Sequence, residues 1–279
     1  MKDRYAVIGN PVAHSRSPRI HALFAAQTGQ DMAYGAILAP LDGFAATVRA
    51  FIESGGHGVN VTVPFKEEAH RLATRRTPRA EAAGAVNTLT FGDAEILGDN
   101  TDGAGLVRDI TANLATGIHG RRILLLGAGG AARGVILPLL LEQPDSLVIA
   151  NRTAEKATGL ANHFSSIAEY RGAGKSASHL EGLGFDALTG KTFDLVINAT
   201  SAGLSDAVLP LLTSVFAPGC LAVEMVYGRK TPFMAQARAA GARAADGLGM
   251  LVEQAAEAFF IWRGVRPDTA PVLKALRPA

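Results

Sequence analysis

The sequence predicts an α/β chain of two domains, and three observations carry that reading. An aliphatic run, Ile123 through Leu126, opens directly into the glycine-rich stretch GAGGAARG and then into a second apolar segment, 135–141. Short apolar runs alternate with helical patterns over residues 1–101 and again after residue 121, the rhythm of sheets built from parallel strands. A length of 279 residues also exceeds the usual size of one domain.

In chain order, residues 5–8 read as a strand, 18–28 as a helix, 32–38 as a strand, 41–54 as a helix and 58–63 as a strand. That βαβαβ order implies a small parallel unit. Segments 88–91 and 95–97, parted by Gly92 and Asp93, read as a hairpin added to it. Residues 102–114 read as a linking helix. The alternation then resumes with strand 122–126, helix 131–142, strand 146–150 and helix 153–164. Stretch 165–190, rich in Gly, Ser and Ala, supports one weak short strand at most. Strands are expected at 194–198 and 220–224. Segment 249–263 reads as a helix with Met250, Leu251, Gln254, Ala255, Ala258 and Phe259 along one side. It and a terminal helix at 269–276 are expected to return to the first domain. The boundaries are thus 1–101 plus about 249–279 for an N-terminal α/β substrate domain, and 102–248 for a C-terminal dinucleotide-binding domain.

Composition narrows the function classes. With 48% hydrophobic and 19% charged residues, the chain can bury a core. A net charge of +2, with no face-sized run of Lys or Arg, argues against nucleic acid as a partner. The pairs Arg75–Arg76 and Arg121–Arg122 read as solvated ends of elements. The single cysteine, Cys220, lies in the apolar run CLAVEMV and reads as a buried strand residue, which suits a reducing compartment. With a strand expected at the N-terminus in place of a signal-peptide pattern, and no apolar run of bilayer-spanning length, the expectation is a soluble, cytoplasmic protein. No self-complementary stripe marks a helix, so monomer and homodimer both stay open. No metal site is expected.

GAGGAA fits G-x-G-x-x-A as Gly127, Gly129 and Ala132. Gly127 permits the tight turn, Gly129 lets a pyrophosphate approach bare backbone, and Ala132 is small enough for close helix–strand packing. Alone the pattern could be a simple loop. With a strand before, a helix after and a second strand at 146–150, it reads as a Rossmann-type dinucleotide site whose helix N-terminus faces the phosphates. A carboxylate at the end of the second strand would accept from the ribose 2′-hydroxyl of NAD. Here the residues are Asn151, Arg152 and Thr153, with Lys156 one turn on, so a 2′-phosphate is the better guest and the expected cofactor is NADP. The bland alternative is a pair of surface charges at a helix start.

Three polar clusters in the first domain resist reading as core: GNPVAHSRSP with Ser15 and Ser17, NVTVPFKE with Asn60, Thr62 and Lys66, and GAVNT with GDNTDG, holding Asn87 and Asp102. Singly each has a dull explanation. Ser17 before Pro18 could cap a helix, Asn87 could hold a turn, and Lys66 could be a solvated charge. Together they gather hydroxyls, amides, one cation and one carboxylate at strand ends, where open α/β sheets bind ligands.

These blocks, followed in order by GAGGAARG, ANRT, NATSAG and ADGLGMLVEQAAEAF, resemble the shikimate dehydrogenase family over nearly the whole chain. The resemblance implies NADP-dependent, reversible reduction of 3-dehydroshikimate to shikimate, in chorismate and aromatic amino acid biosynthesis. It implies that Ser15 and Ser17 hold the substrate carboxylate, assisted by Tyr227 of VYGRKTPF. Ring hydroxyls fall to Thr62, Lys66, Asn87, Asp102 and Gln254, with Lys66 and Asp102 as the catalytic pair. Cofactor contacts fall to Gly127, Ala128, Gly129, Gly130 and Ala131, to Asn151, Arg152, Thr153 and Lys156, and to Thr200, Met225 and Gly247. The sequence departs from the family pattern around 165–190, which looks long, at Lys156, where Arg is frequent, and at Pro78, where many relatives carry an acid.

The chemistry fits such roles. Hydride transfer between a ring carbinol and nicotinamide needs a group that takes or gives the hydroxyl proton. An ordinary lysine side chain, with a pKa of roughly 10.4, is a poor base at neutrality but a good donor to a ketone oxygen. Reduction is therefore expected to be favoured near neutral pH and oxidation at alkaline pH. A quinate or dual quinate/shikimate dehydrogenase is the nearest rival reading. A non-catalytic NADP-binding regulator is another, although a retired enzyme would commonly have lost Lys66 or Asp102.

Overall fold

The computed structural model describes residues 2–170 and 179–277. The chain divides into two compact units, Met1–Gly105 with Val252–Ala279, and Leu106–Leu251.

The first unit runs β1 (Asp3–Gly9), α1 (Ser17–Thr28), β2 (Met32–Leu38), α2 (Phe44–Glu53), β3 (Gly56–Val61), α3 (Lys66–Leu72), β4 (Arg75–Arg76), α4 (Pro78–Ala83), β5 (Thr88–Phe91) and β6 (Ile96–Asp99). Its sheet has the order β2-β1-β3-β5-β6-β4. The expected parallel unit is present, β1 lying parallel to both β2 and β3. The β5–β6 hairpin is antiparallel, as expected. Alternation along β1 sorts the two faces. Ala6 and Ile8 join Phe44 and Phe65, which stack at 5.0 Å, in the core under α2. Tyr5 turns the other way and stacks on Trp262 at 4.7 Å.

Several expectations need correction. The pair Arg75–Arg76 forms the two-residue strand β4, parallel to β6; Arg75 is exposed as expected, whereas Arg76 is half-buried and donates to the carbonyls of His70 and Ala73. α2 starts at Phe44 rather than 41, behind Pro40. β3 stops at Val61 because Pro64, lacking an N–H, cannot extend a ladder. The expected linking helix is α5 (Asp102–Arg108), which relaxes into a π-helical turn over Asp109–Asn113.

The second unit continues with β7 (Arg122–Leu126), α6 (Gly130–Leu141), β8 (Ser146–Asn151), α7 (Ala154–Tyr170), β9 (His179–Gly184), β10 (Phe193–Asn198), β11 (Phe216–Glu224), α8 (Pro232–Ala239) and β12 (Arg243–Ala245). Every pairing in its sheet, ordered β12-β11-β10-β7-β8-β9, is parallel. β7 is buried on both faces, which is why it reads as an unbroken aliphatic run. Leu124, Leu126, Val148 and Phe233 share one core cluster; full burial of such a side chain is worth about 1.5–3 kcal/mol. Arg121 is exposed as expected, while Arg122, half-buried at the start of β7, grips Asp194 through its guanidinium with two bonds of 2.8 and 3.0 Å. Cys220 is buried in β11, and burial pushes its thiol up to about 11. The one strand expected within 165–190 is β9; α7 runs on to Tyr170, and 171–178 lie outside the described residues.

The chain closes with α9 (Leu248–Arg263) and α10 (Ala270–Leu276). α9 does not bury a single stripe. Val252, Ala255, Ala256 and Phe259 share one buried face, and Glu253 and Ala258, which flank that face on either side, are buried as well, so the helix is covered on more than one side. Among the described residues, no helix is long and apolar enough to cross a membrane, and no group of three metal-ligating side chains gathers.

Candidate active site

The strands of the first sheet deliver their polar residues to one hydrogen-bonded cluster. Lys66 is the first residue of α3, and its Nζ lies 2.5 Å from Oδ2 of Asp102. Asp102 opens α5, where a carboxylate is favoured by the helix N-terminus. Its backbone N–H donates to Oδ1 of Asn100 at 3.1 Å, and its other oxygen accepts from Nδ2 of Asn87 at 2.8 Å. Asn87, 3% exposed, is the hub of the cluster. Its Nδ2 also reaches Thr101 Oγ1 at 2.9 Å and Gln254 Oε1 at 3.3 Å, while its Oδ1 accepts from the N–H of Thr101 at 2.8 Å. Gln254 comes close because Gly105 has no side chain: a Cβ there would sit 2.6 Å from the Gln254 backbone nitrogen. So four expected residues, Lys66, Asn87, Asp102 and Gln254, are joined in one network. The bland readings of Lys66 and Asn87 do not survive this geometry.

Thr62 directly follows β3, while Ser15 lies in the loop after β1 and Ser17 is the first residue of α1. Thr62 donates its backbone N–H to Ile8 O at 2.9 Å, and its half-buried hydroxyl has no hydrogen bond to the described residues. Ser17 does not cap α1. The cap position is Arg16, whose side chain makes no capping bond, and it is Ser15 Oγ that accepts from the Ser17 N–H, at 3.3 Å.

The sequence reading missed Tyr34 and left Asn60 without a role. Tyr34 donates to Asn60 Oδ1 at 2.7 Å, and Asn60 Nδ2 donates to Thr88 Oγ1 at 3.1 Å. Thr88 in turn donates to Asn87 Oδ1 at 2.9 Å, so the network runs unbroken from Tyr34 to Lys66. Burial pushes the Tyr34 hydroxyl well above the usual phenol range. His21 stacks on Tyr34 at 4.0 Å and is kept neutral, burial lowering it to about 3. The signal for Asn60 was an amide inside an apolar strand; Tyr34 gave none, because register alone brings it there.

Pro78 is explained by α4. It takes the first helical position, where a missing N–H costs nothing, while Thr77 caps the helix and donates to Asp99. Arg79 follows, bridging Asp99 and Glu257 and so tying α4 to β6 and α9. The ion pairs raise its pKa against the opposing effect of burial.

In the second unit the chain reverses its direction of travel across the sheet between β7 and β10, the place where open α/β sheets bind nucleotides. Gly127 turns there with φ +106, a conformation that favours glycine. A side chain on it would meet Ala199 and Thr200 at 3.1–3.2 Å. Ala128 follows, Gly129 is the cap of α6, and Gly130 and Ala131 are the helix's first two residues. A Cβ on Gly129 or Gly130 would meet nothing within 4 Å, leaving backbone open to a diphosphate. Asn151 ends β8 and donates to Thr153 O at 3.0 Å. Arg152 and Lys156 are exposed and make no ion pair or side-chain hydrogen bond with the described residues. Met225 follows β11, and Gly247 donates to Val226 O at 3.1 Å. The residues present therefore fit NADP: open glycine backbone for the diphosphate, and two unengaged cations where a 2′-phosphate belongs. Tyr227 is half-buried in this unit, whereas Ser15 and Ser17 belong to the other.

A dinucleotide crevice in one unit and a lysine–aspartate pair ringed by amides in the other define an oxidoreductase that acts on a small polar molecule. Three family models match: the shikimate dehydrogenase substrate binding domain at residues 7–89, shikimate/quinate 5-dehydrogenase at 109–204, and the shikimate 5'-dehydrogenase C-terminal domain at 247–277. A shikimate dehydrogenase (NADP(+)) of Dechloromonas aromatica is 62% identical over 99% of this chain and 98% of its own. An Ael1 enzyme from Pseudomonas putida superimposes with a TM-score of 0.92 at 49% identity, over 100% of this chain and 99% of that one. Shikimate 5-dehydrogenase from Thermus thermophilus, solved with NADP(H) and shikimate, gives 0.85 at 32% identity, over 98% of each chain. The chain belongs to the shikimate dehydrogenase family.

Proposed function

We propose that this chain reversibly reduces 3-dehydroshikimate to shikimate with NADPH, with Lys66 and Asp102 as the catalytic pair. The observation that carries the reading is the 2.5 Å Lys66–Asp102 contact held within the Asn87 network. We assign the substrate to the first unit and the cofactor to the second. Gly127, Ala128, Gly129, Gly130 and Ala131 would hold the diphosphate, and Asn151, Arg152, Thr153 and Lys156 the adenosine end. Thr200, Met225 and Gly247 border the reactive end. When bound, the cofactor supplies or accepts the hydride. Lys66 supplies the proton to the carbonyl oxygen in reduction and, as an ammonium, stabilises the charge that develops there. Asp102 orients that ammonium, and Asn87 fixes Asp102. Ser15, Ser17 and Tyr227 hold the carboxylate, while Thr62 and Gln254 hold ring hydroxyls. A cytoplasmic location accords with the buried free thiol of Cys220. The working assembly is a monomer or a homodimer.

Shikimate is expected to be preferred over quinate. Quinate adds a hydroxyl on a tetrahedral carbon beside the carboxylate, and an unpaired buried polar group costs about 1–3 kcal/mol. That is roughly ten- to hundredfold in kcat/KM. Ser17, buried and not engaged in capping, is the residue proposed to discriminate. Comparing kcat/KM for both acids in the unaltered protein and in Ser17→Thr tests this. Equal efficiencies in the unaltered protein would contradict the preference, and no shift in the variant would remove Ser17 from it.

Arg152→Ala is expected to weaken NADP by about 1–3 kcal/mol, the size of a hydrogen bond to a charged group, and to spare NAD. Titration of both cofactors into the variant checks it. Equal losses for the two would place Arg152 away from the 2′-phosphate.

A further inference from the structure

Glu224 breaks the apolar run of β11 and is completely buried, yet no cation pairs with it among the described residues. A buried carboxylate without a countercharge is costly unless neutral donors surround it. Here they do. Oε2 accepts from Asn198 Nδ2 at 2.7 Å and from Thr231 Oγ1 at 3.0 Å, and Oε1 accepts from the Val226 N–H at 3.1 Å. Each donor belongs to a different piece of the sheet's C-terminal edge. Asn198 ends β10 and uses its own Oδ1 to hold both the N–H and the hydroxyl of Thr200, at 3.1 and 2.7 Å. Val226 directly precedes Tyr227, and Thr231 caps α8. Gly203 makes space for the same carboxylate: a Cβ there would lie 2.6 Å from Oε1. Burial raises the Glu224 carboxyl above the usual carboxylate range, and these donors oppose that shift.

We propose that Glu224 is a positioning residue for the reaction. It clamps the loop that carries Thr200 to the loop that carries Met225 and Tyr227, and so sets the direction in which Tyr227 meets the substrate carboxylate. The proposal rests on the assignment of Tyr227 to that carboxylate. Without the clamp, each loop would have to find its place on substrate binding, which would appear in KM before it appeared in the chemical step.

The test is a double-mutant cycle of Glu224→Gln and Tyr227→Phe, reading shikimate KM, kcat and melting temperature. Glu224→Gln keeps the shape but turns an amide N–H₂ towards donors that need an acceptor. It is expected to raise KM roughly tenfold, the weight of one hydrogen bond to a charged group, with a smaller change in kcat. Added to Tyr227→Phe, it should raise KM by less than about twofold, because both changes remove the same interaction. A lowered melting temperature with unchanged KM, or losses that multiply in the double variant, would overturn the proposal. If Tyr227→Phe raises KM and Glu224→Gln does not, the clamp alone has failed. If Tyr227→Phe leaves KM unchanged, the carboxylate assignment has failed and takes the clamp with it. Should Glu224→Gln not fold, Thr231→Val removes one donor to Glu224 together with the cap of α8 and should raise KM, and Thr231→Ser, which keeps the hydroxyl, should restore it. No recovery in Thr231→Ser would equally overturn the clamp.

Discussion

Lys66→Met is expected to abolish turnover while NADP affinity stays near that of the unaltered protein. The side chain keeps a similar length and apolar stem, so packing at the start of α3 is preserved, but the group that can give or take a proton is gone. A well-placed acid or base contributes about 10²- to 10⁴-fold to rate, and the ammonium's stabilisation of the carbonyl oxygen adds to that. Cofactor affinity should be spared because Lys66 belongs to the first unit and the glycine-rich turn to the second. Steady-state kinetics with a separate NADPH titration measures both quantities. A variant that keeps most of its turnover would take Lys66 out of the chemistry, and a large loss of cofactor affinity would reveal coupling between the units.

Asp102→Asn is expected to lower kcat by about 10²- to 10⁴-fold, comparable with the loss of Lys66 itself. Two effects act together. The ion pair at 2.5 Å disappears, so the Lys66 ammonium loses its orienting partner. The new amide must also accept from Asn87 Nδ2, now 2.8 Å from Asp102 Oδ1, with one oxygen in place of two. If it points its own N–H₂ at Asn87 instead, two donors face each other in a buried site. Single-turnover rates with shikimate separate this loss from weaker binding. A change confined to KM would mean that Asp102 only binds the substrate.

Strands of both kinds were legible, β7 buried on both faces and β2 at an exposed sheet edge. β7 and β2 fall where the sequence placed them, the first as an uninterrupted aliphatic run and the second as a short segment between turn signals. The short elements were not legible, for a physical reason. α3 and α4, seven and six residues long, span at most about two turns, too few for a 3.6-residue period to show. β4, two residues long, has no pattern at all. α8 did carry a usable signal, Thr231 as cap before Pro232, which went unread beside the more conspicuous motif around Tyr227.

The site divides in the same way. Lys66, Asn87 and Asp102 stood out as polar residues at the ends of strands. That they touch, and that Asn87 sorts them, is a matter of the antiparallel register that sets Thr88 opposite Asp99. Tyr34 reaches Asn60 from another strand, with β1 between them, a relation visible only once the order β2-β1-β3 is known. Glu224 is one charge in an apolar strand, and its hydrogen bonds are visible only when the ends of β10 and β11 are seen together.

Lys66 and Asp102 are proposed to act as one unit. A cycle of kcat for 3-dehydroshikimate reduction by NADPH, over the unaltered protein, Lys66→Met, Asp102→Asn and the double variant, measures it directly. The double variant is expected to be no slower than Lys66→Met alone, because the aspartate has nothing left to orient. Losses that multiply across the cycle, or appreciable turnover in the double variant, would contradict it.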